Sequence, residues 1–360
     1  MLLPPERLRD ALAPLAPLLA EPDIAVANYE TATGSGNPFF GVRTMSLSAP
    51  PEWMGEAHRL FGALTVANNH ACDLGKPGFE ATLAAARELG VTVVGGDARD
   101  PWKPRVLVEK GGKRVCAIAW TTFTNSEGRA CKGSGELAVA GFDRKGRMSI
   151  ERAVSRASHE GCDGVVAIFH GGREYETQIW GARLQARAAA EAGADAVVIH
   201  HPHIPSPLEV LTTRDGRKVP VFESVGNLVS NQGESYKLPL FPVSPKHAIS
   251  LNAWTRLGVL ADLEWSWSGG DKGDPAAPEH AHLAWGYHLL WTDNEHADNR
   301  NEKMPRIAVR PVDPRADRPL IDRLSCDHRG PLRLFSDPCW LEATGQRCQA
   351  PPPAEPAVGM

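Results

Sequence analysis

The sequence predicts an α/β fold with parallel strand pairing, and three observations carry that prediction. Short apolar β-rich runs alternate with amphipathic helical patterns over roughly 200 residues, the signature of strand–helix–strand units. Four of the apolar runs end in polar, ligand-type side chains: Asn28 to Glu30, Asn68 to His70, His170, and His200 to His203. Open α/β sheets collect ligand sites at the carboxyl edge of their strands, so the fold brings such ends together. Finally, VVIHHPHIPSPLEV (197–210) places three histidines in four positions of a chain that has 13.

Each element follows from local pattern. The opening MLLPPERLRDALAPLAPLLAEPD spaces Leu8, Leu12, Leu15 and Leu19 for a short amphipathic helix. Charge and proline interrupt it too early for a signal peptide. DIAVANYE (23–30) and GALTVANNH (62–70) read as buried strands with their exits. KPGFEATLAAARELGV (76–91) is a helix rich in Ala, Leu, Glu and Arg and closed by Gly90. VTVVGG (91–96) and KRVCAIAWTT (113–122) are further strands. SIERAVSRASHEGCD (149–163) is a helix leading into the strand GVVAIFHGG (164–172). QARAAAEAGAD (185–195) is a helix leading into AVVIHHPH (196–203). KVPVFESVGNLV (218–229) is a strand and turn. Beyond about residue 235 the alternation stops, and the Trp-rich pieces LGVLADLEWSW and HLAWGYHLLW read as antiparallel strands that complete the sheet or form an edge lobe. Residues 1–310 are therefore read as one domain. Residues 311–360 are a Pro- and Arg-containing extension whose end, APPPAEPAVGM, is expected to be disordered.

Composition narrows the function classes. With 360 residues, 42% hydrophobic and 23% charged, the chain is ordinary for a globular protein. A net charge of −4 with no basic tract excludes a nucleic-acid partner, and no apolar stretch is long enough to span a bilayer. The seven cysteines, at 72, 116, 131, 162, 326, 339 and 348, include no CxxC pair, against a zinc ribbon. Cys116 and Cys162 lie in or beside apolar runs and read as buried thiols. Cys326, Cys339 and Cys348 can form a disulfide outside the cytoplasm; reduced cytosolic thiols are the plain reading.

The clustered polar residues suggest metal chemistry. Three histidines at a strand exit are costly to bury unless each finds a partner. His201 and His203 form an H-x-H pair that can turn two imidazoles onto one cation. Gly171 and Gly172 after His170 leave room close to the backbone. Glu30 and Asn69 would add oxygen ligands, and a mixed imidazole, carboxylate and amide set suits Zn, Mn or Fe. Taken singly, each has a plainer reading: His170 a satisfied polar residue, Asn68–His70 a helix cap, Glu30 a surface carboxylate. Joint placement at one sheet edge favours the metal reading for all of them.

VANYET, TVANNHACDLGKPGFEATLAAARELGV, VVAIFHGGREY, GADAVVIHHPHIPSPLEV and VFESVGNLVSNQ come in the order and with the spacing of the motifs of the CapA family. These are poly-γ-glutamate capsule biosynthesis proteins of the calcineurin-like metallophosphoesterase superfamily, and the chain resembles them over residues 1–233. The resemblance implies an αββα sandwich of two mixed sheets flanked by helices, with a dinuclear centre of divalent transition metals (Mn, Fe or Zn) at one edge. It implies that Glu30 bridges the metals, that Asn69, His170, His201 and His203 are ligands, and that His70 protonates a leaving group with Asp73 orienting its ring. Asn28, His200, Arg173, Ser224 and Asn227 would support the ligands or contact substrate. Arg43, Arg173 and Lys76 are the local cations for a polyglutamate-like substrate, each otherwise a solvated surface charge.

Three departures from the family stand out. The family opens with a strand ending in a GD motif whose Asp binds metal; this sequence reads as lacking that first strand, and neither Asp10 nor Asp23 has that context. Either the start lies further upstream, where a secretion signal would also lie, or one of two metals is weakly held and the centre keeps one. Gly171 stands where the family has Trp, and Ile199, where it has Gly, is expected to add bulk near the metal loop. Three functions follow: a metal-dependent hydrolase of a phosphoester or amide-like bond, a non-catalytic component of capsule assembly that binds polymer or partner proteins, or a degenerate paralogue with neither role. Localisation stays open between cytoplasm and cell envelope.

Overall fold

The computed structural model describes residues 5–34, 47–125, 131, 135–177, 180–230, 232, 252–268, 280–294, 306–326 and 330–350. Arg43 and the terminal stretch 351–360 lie outside them. The fold is mixed α/β. Strands β1 (Val26–Asn28), β4 (Ala63–Thr65) and β5 (Thr92–Val94) form a parallel sheet, while β2 (Ala32–Thr33) and β3 (Ser48–Ala49) pair separately. A larger sheet contains β6 (Arg105–Lys110), β7 (Lys113–Thr121), β8 (Gly164–His170), β9 (Ala196–His200), β10 (Leu208–Thr212) and β11 (Lys218–Phe222) in the order β10-β11-β9-β8-β7-β6. Its inner strands β11, β9, β8 and β7 are parallel and both edges are antiparallel.

The inner strands are near-continuous apolar runs because both their faces are covered. On one face Ile118, Trp120, Val165, Ala167, Phe169, Val197 and Ile199 meet Ile150, Ala153, Val154 and Ala157 of α5 (Arg144–His159) and Ala182, Ala186 and Ala189 of α6 (Trp180–Glu191). On the other, Ala117, Ala119, Val166 and Ile168 meet Val94 of β5, with Leu263 and Trp265 of β12 (Leu257–Ser268) packed alongside. α5 begins five residues before its sequence pattern does because Asp143 caps it, accepting 2.8 Å from the amide of Gly146.

Leu8, Leu12, Leu15 and Leu19 of the opening segment are buried. They lie on α1 (Pro5–Leu12), a 3₁₀ turn and α2 (Ala16–Leu19), against Met54 of α3 (Pro51–His58) and Ala85 and Ala86 of α4 (Gly75–Leu89). Gly90 ends α4 at φ +74°, a left-handed position that glycine occupies without steric cost.

The Trp-rich region is antiparallel, as its pattern predicts: β12 pairs β13 (His280–Asn294), which also pairs β14 (Ile307–Pro311) and β15 (Cys348–Gln349). The stretch after 311 adds α7 (Arg318–Ser325), α8 (Leu341–Thr344) and β15 to this sheet. Leu324, Leu334 and Trp340 are buried with Trp254, Trp285, Tyr287 and Trp291. No helix among the described residues is long and apolar enough to cross a membrane.

The cysteine expectation is corrected. Cys116 and Cys162 are not thiols but a disulfide, and Cys72–Cys131 and Cys339–Cys348 are bonded as well; Cys326 alone is free, and exposed. Parallel pairing of β7 with β8 puts Cys116 opposite Val165, so the turn that enters β8 carries Cys162 to it, with 5.8 Å between Cα atoms.

A buried-edge imidazole ties the C-terminal segment down. His288 of β13 lies 2.6 Å from Glu342 of α8 and 3.7 Å from Asp262 of β12, and Asp262 also accepts from Arg347. Burial lowers its pKa, but the hydrogen bonds and charges of Asp262 and Glu342 outweigh that and push it up to about 9. A folded pKa above the ordinary 6.5 means that this stabilisation is complete below pH 6.5 and is lost as pH rises through 9. Wild type should therefore melt above His288→Gln at pH 6.5, with the gap closing by pH 9.5, measured by scanning calorimetry. A gap independent of pH would show that packing, not charge, holds the segment.

Candidate metal centre

Register delivers the site. β8 and β9 pair so that His170 stands opposite His200, and β1 and β4 pair so that Asn28 stands opposite Thr65. The exits of these four strands converge. Oε1 of Glu30 lies 3.6 Å from Nε2 of His170 and 3.8 Å from Nε2 of His203. Ligand-type atoms of Glu30, His170 and His201 all lie within 4.8 Å of one another, as do those of Glu174, His201 and His203.

The donors at this edge are short of partners. Oε1 of Glu30, Oδ1 of Asn69, Nε2 of His170 and Nδ1 of His201 are all buried without a hydrogen-bond partner among the described residues. Each such atom costs about 1–3 kcal/mol if left unpaired. A divalent transition metal would satisfy carboxylate oxygen, amide oxygen and imidazole nitrogen together, so the residues fit such an ion.

Neighbouring groups set the direction of each donor. Nδ1 of His170 is 2.7 Å from Nδ1 of His200. With His170 donating, its Nε2 keeps a lone pair directed at the centre. Burial and then the neighbouring imidazoles hold His170 well below its usual pKa; His201 is lowered to about 3 by the same causes, and His200 to about 3 by burial and His203. All three are neutral near pH 7, the form that binds metal. Burial pushes the Glu30 carboxyl up, against the opposing influence of His203 and His70. Asn28 donates to Oε2 of Glu30 at 3.2 Å and accepts from Asn68 at 3.3 Å.

The histidine loop is strained. His201 has φ +112° and His203 φ +59°, both in the region that non-glycine residues avoid. Asn227 holds it, accepting from Nδ1 of His203 at 2.8 Å and donating to the carbonyls of His203 and Thr255. The hydroxyl of Ser224 donates to the carbonyl of Ile204 at 2.6 Å. Ser224 and Asn227 thus act on the loop.

His70 sits in a second arrangement at the same edge. Its Nδ1 is 2.5 Å from Oδ2 of Asp73, which also accepts from the amide of Leu47. Burial lowers its pKa, yet the hydrogen bond and charge of Asp73 prevail and raise it. The Cys72–Cys131 disulfide ties down the turn between His70 and Asp73.

Sequence reasoning missed three residues here. The amide nitrogen of Asn125 lies 3.3 Å from Nε2 of His70, and its Oδ1 accepts from Nδ2 of Asn69 at 3.1 Å, which leaves Oδ1 as the Asn69 amide atom without a partner among the described residues. Tyr175 stacks on His203 with ring centroids 5.8 Å apart. Glu174 joins His201 and His203. Asn125 carries a signal that could have found it: it lies just past the end of β7, as the other site residues lie past theirs.

Arg173 is exposed beside Glu176, Lys76 pairs with Glu80 and Glu136, and Asp23 pairs with Lys110. The expectation for Ile199 is corrected: strand alternation turns it into the helix-side core with Phe169, away from the histidine loop. Gly171 packs against Thr122, where an added Cβ would come within 2.6 Å of Cγ2, leaving no room there for a larger side chain.

A profile described as bacterial capsule synthesis protein matches residues 3–232. The chain is 31% identical over 175 residues to the PGA biosynthesis protein CapA of Bacillus subtilis (strain 168), covering 48% of this chain and 43% of that protein. It is 29% identical over 183 residues to the capsule biosynthesis protein CapA of Bacillus anthracis, covering 48% of this chain and 41% of that one. The matched region thus spans less than half the length of these curated relatives.

Glu30→Gln separates the burial cost from ligation. In chelator at pH 7 the neutral isostere should raise the melting temperature by about 1–3 °C, equivalent to about 1–2 kcal/mol, because it removes a buried charge and can donate to His170. A fall instead would mean that the carboxylate's bond from Asn28 outweighs its burial.

Proposed function

The chain belongs to the bacterial capsule synthesis protein family, and on that premise we propose that it is a metal-dependent hydrolase. Its substrate would be a phosphoester or amide-like bond in a capsule polymer such as poly-γ-glutamate, at a centre holding two transition-metal ions, Mn, Fe or Zn. The observation that carries this reading is the set of buried donors on Glu30, Asn69, His170 and His201, unpaired among the described residues and gathered at one sheet edge. We read the fold as metallophosphoesterase-like, with residues 1–310 as the catalytic domain and the segment from 311 as an extension seated on its third sheet.

Glu30, Asn69, His170, His201 and His203 would hold the ions, which when bound would polarise the scissile group and activate water. The chain's own residues do the rest. His70, kept basic by Asp73, holds a proton at the edge of the site for a leaving group. Asn125 fixes the Asn69 amide by accepting from its Nδ2. Asn227 and Tyr175 keep the His203 ring in place. The three disulfides favour an oxidising compartment, and so the cell envelope over the cytoplasm.

A second reading, a non-catalytic polymer- or partner-binding component of capsule assembly, is favoured by one feature. Among the described residues, neither set of possible ligands contains an aspartate.

Metal-loaded protein should turn over phosphodiesters or γ-glutamyl peptides. His70→Asn should lower kcat by about 10²–10⁴ while keeping its metal. Metal bound without turnover on either substrate class would overturn the hydrolase reading in favour of binding.

A further inference from the structure

Resting on the metal-centre reading above, we propose that Glu174 is the carboxylate of a second cation position. His201 and His203 complete it, next to the position formed by Glu30, His170 and His201. The two ligand sets are each compact, and they share only His201. An imidazole has nitrogens on different sides of its ring, so one His201 ring serves both positions as the imidazolate, its ring proton passing to solvent as the second cation binds. Its Nδ1 is buried without a partner among the described residues, and the residue is 4% exposed.

The backbone is built to bring Glu174 here. After His170 the chain passes Gly171, pressed against Thr122, and Gly172 at φ +112°. Tyr175 follows at φ +61°, a left-handed conformation that is costly for a bulky residue and persists where surrounding contacts enforce it. Those contacts are present: the amide of Tyr175 donates to the carbonyl of Pro202 at 2.7 Å, and its hydroxyl accepts from Gln232 at 3.2 Å. Its ring stacks on His203. The turn is therefore clamped to the histidine loop immediately beside Glu174. Arg173 and Glu176, on either side, pair with each other instead of facing the centre.

Charge points the same way. Two dications against Glu30 alone would leave a large positive excess in a largely buried site, and a second carboxylate reduces it. Glu174 is also the one remaining acidic residue in either ligand set.

The test uses the full chain with disulfides intact, stripped with chelator and titrated with Zn²⁺ by calorimetry, with bound zinc then counted by elemental analysis. Wild type, Glu174→Gln, Glu30→Gln and, as control, Glu176→Gln are compared, with circular dichroism confirming the fold of each. The proposal expects two ions in wild type and in Glu176→Gln. In Glu174→Gln one ion stays at wild-type affinity, while the other weakens by more than the roughly 10–100-fold typical of losing an outer hydrogen-bond partner. Two ions at unchanged affinity in Glu174→Gln would overturn the assignment and leave the metal centre standing. A single ion in wild type, lost in both Glu30→Gln and Glu174→Gln, would mean one shared position and overturn it as well. No ion in wild type would overturn both the assignment and the reading it rests on.

Discussion

The hydrogen bond between Nδ1 of His170 and Nδ1 of His200 is the interaction on which the site's geometry depends. It exists because β8 and β9 are parallel and in register, which sets the two residues side by side at the carboxyl edge. A buried imidazole that uses one nitrogen on a neighbour has the other to offer, and that nitrogen faces Glu30. Everything else at this edge is arranged around that direction. Asn28 turns Glu30, Asn125 turns Asn69, and Asn227 turns His203, so three amides each orient one donor.

Such an arrangement is expensive without something to satisfy it. Buried donors lack partners among the described residues, two histidines and a tyrosine adopt left-handed backbone angles, and a carboxylate is desolvated. Local costs of this kind persist where the surrounding structure enforces them, and they concentrate at functional sites. The surrounding structure here is two layers of apolar packing on the six-stranded sheet, with disulfides joining β7 to the entry of β8 and fastening the turn that carries His70.

Much of this was legible in the sequence because it follows from periodicity. β8 and β9 are unbroken apolar runs that end in histidine, and α4 has helical spacing closed by Gly90, so their ends and the residues beyond them could be placed. The edge strands β6 and β10 escaped because they are short, half-exposed and interrupted by charge. α3 escaped because Pro51 and Gly55 make it read as a loop. Glu174 lies in a turn whose course depends on the backbone angle at Tyr175, and no periodicity reports such an angle. Cys116 and Cys162 read as buried, but pairing across 46 and 59 residues is a property of the register between strands and loops rather than of local pattern.

The central claim is that the strand ends assemble a transition-metal site from Glu30, His170 and the histidine loop. Anomalous X-ray diffraction at the zinc or manganese edge, on crystals of protein purified without chelator and supplied with that metal, tests it most directly. The account predicts an anomalous peak within bonding distance of Oε1 of Glu30, Nε2 of His170 and the His201 ring. A well-ordered crystal with no peak there, or with metal only at other residues, would contradict it.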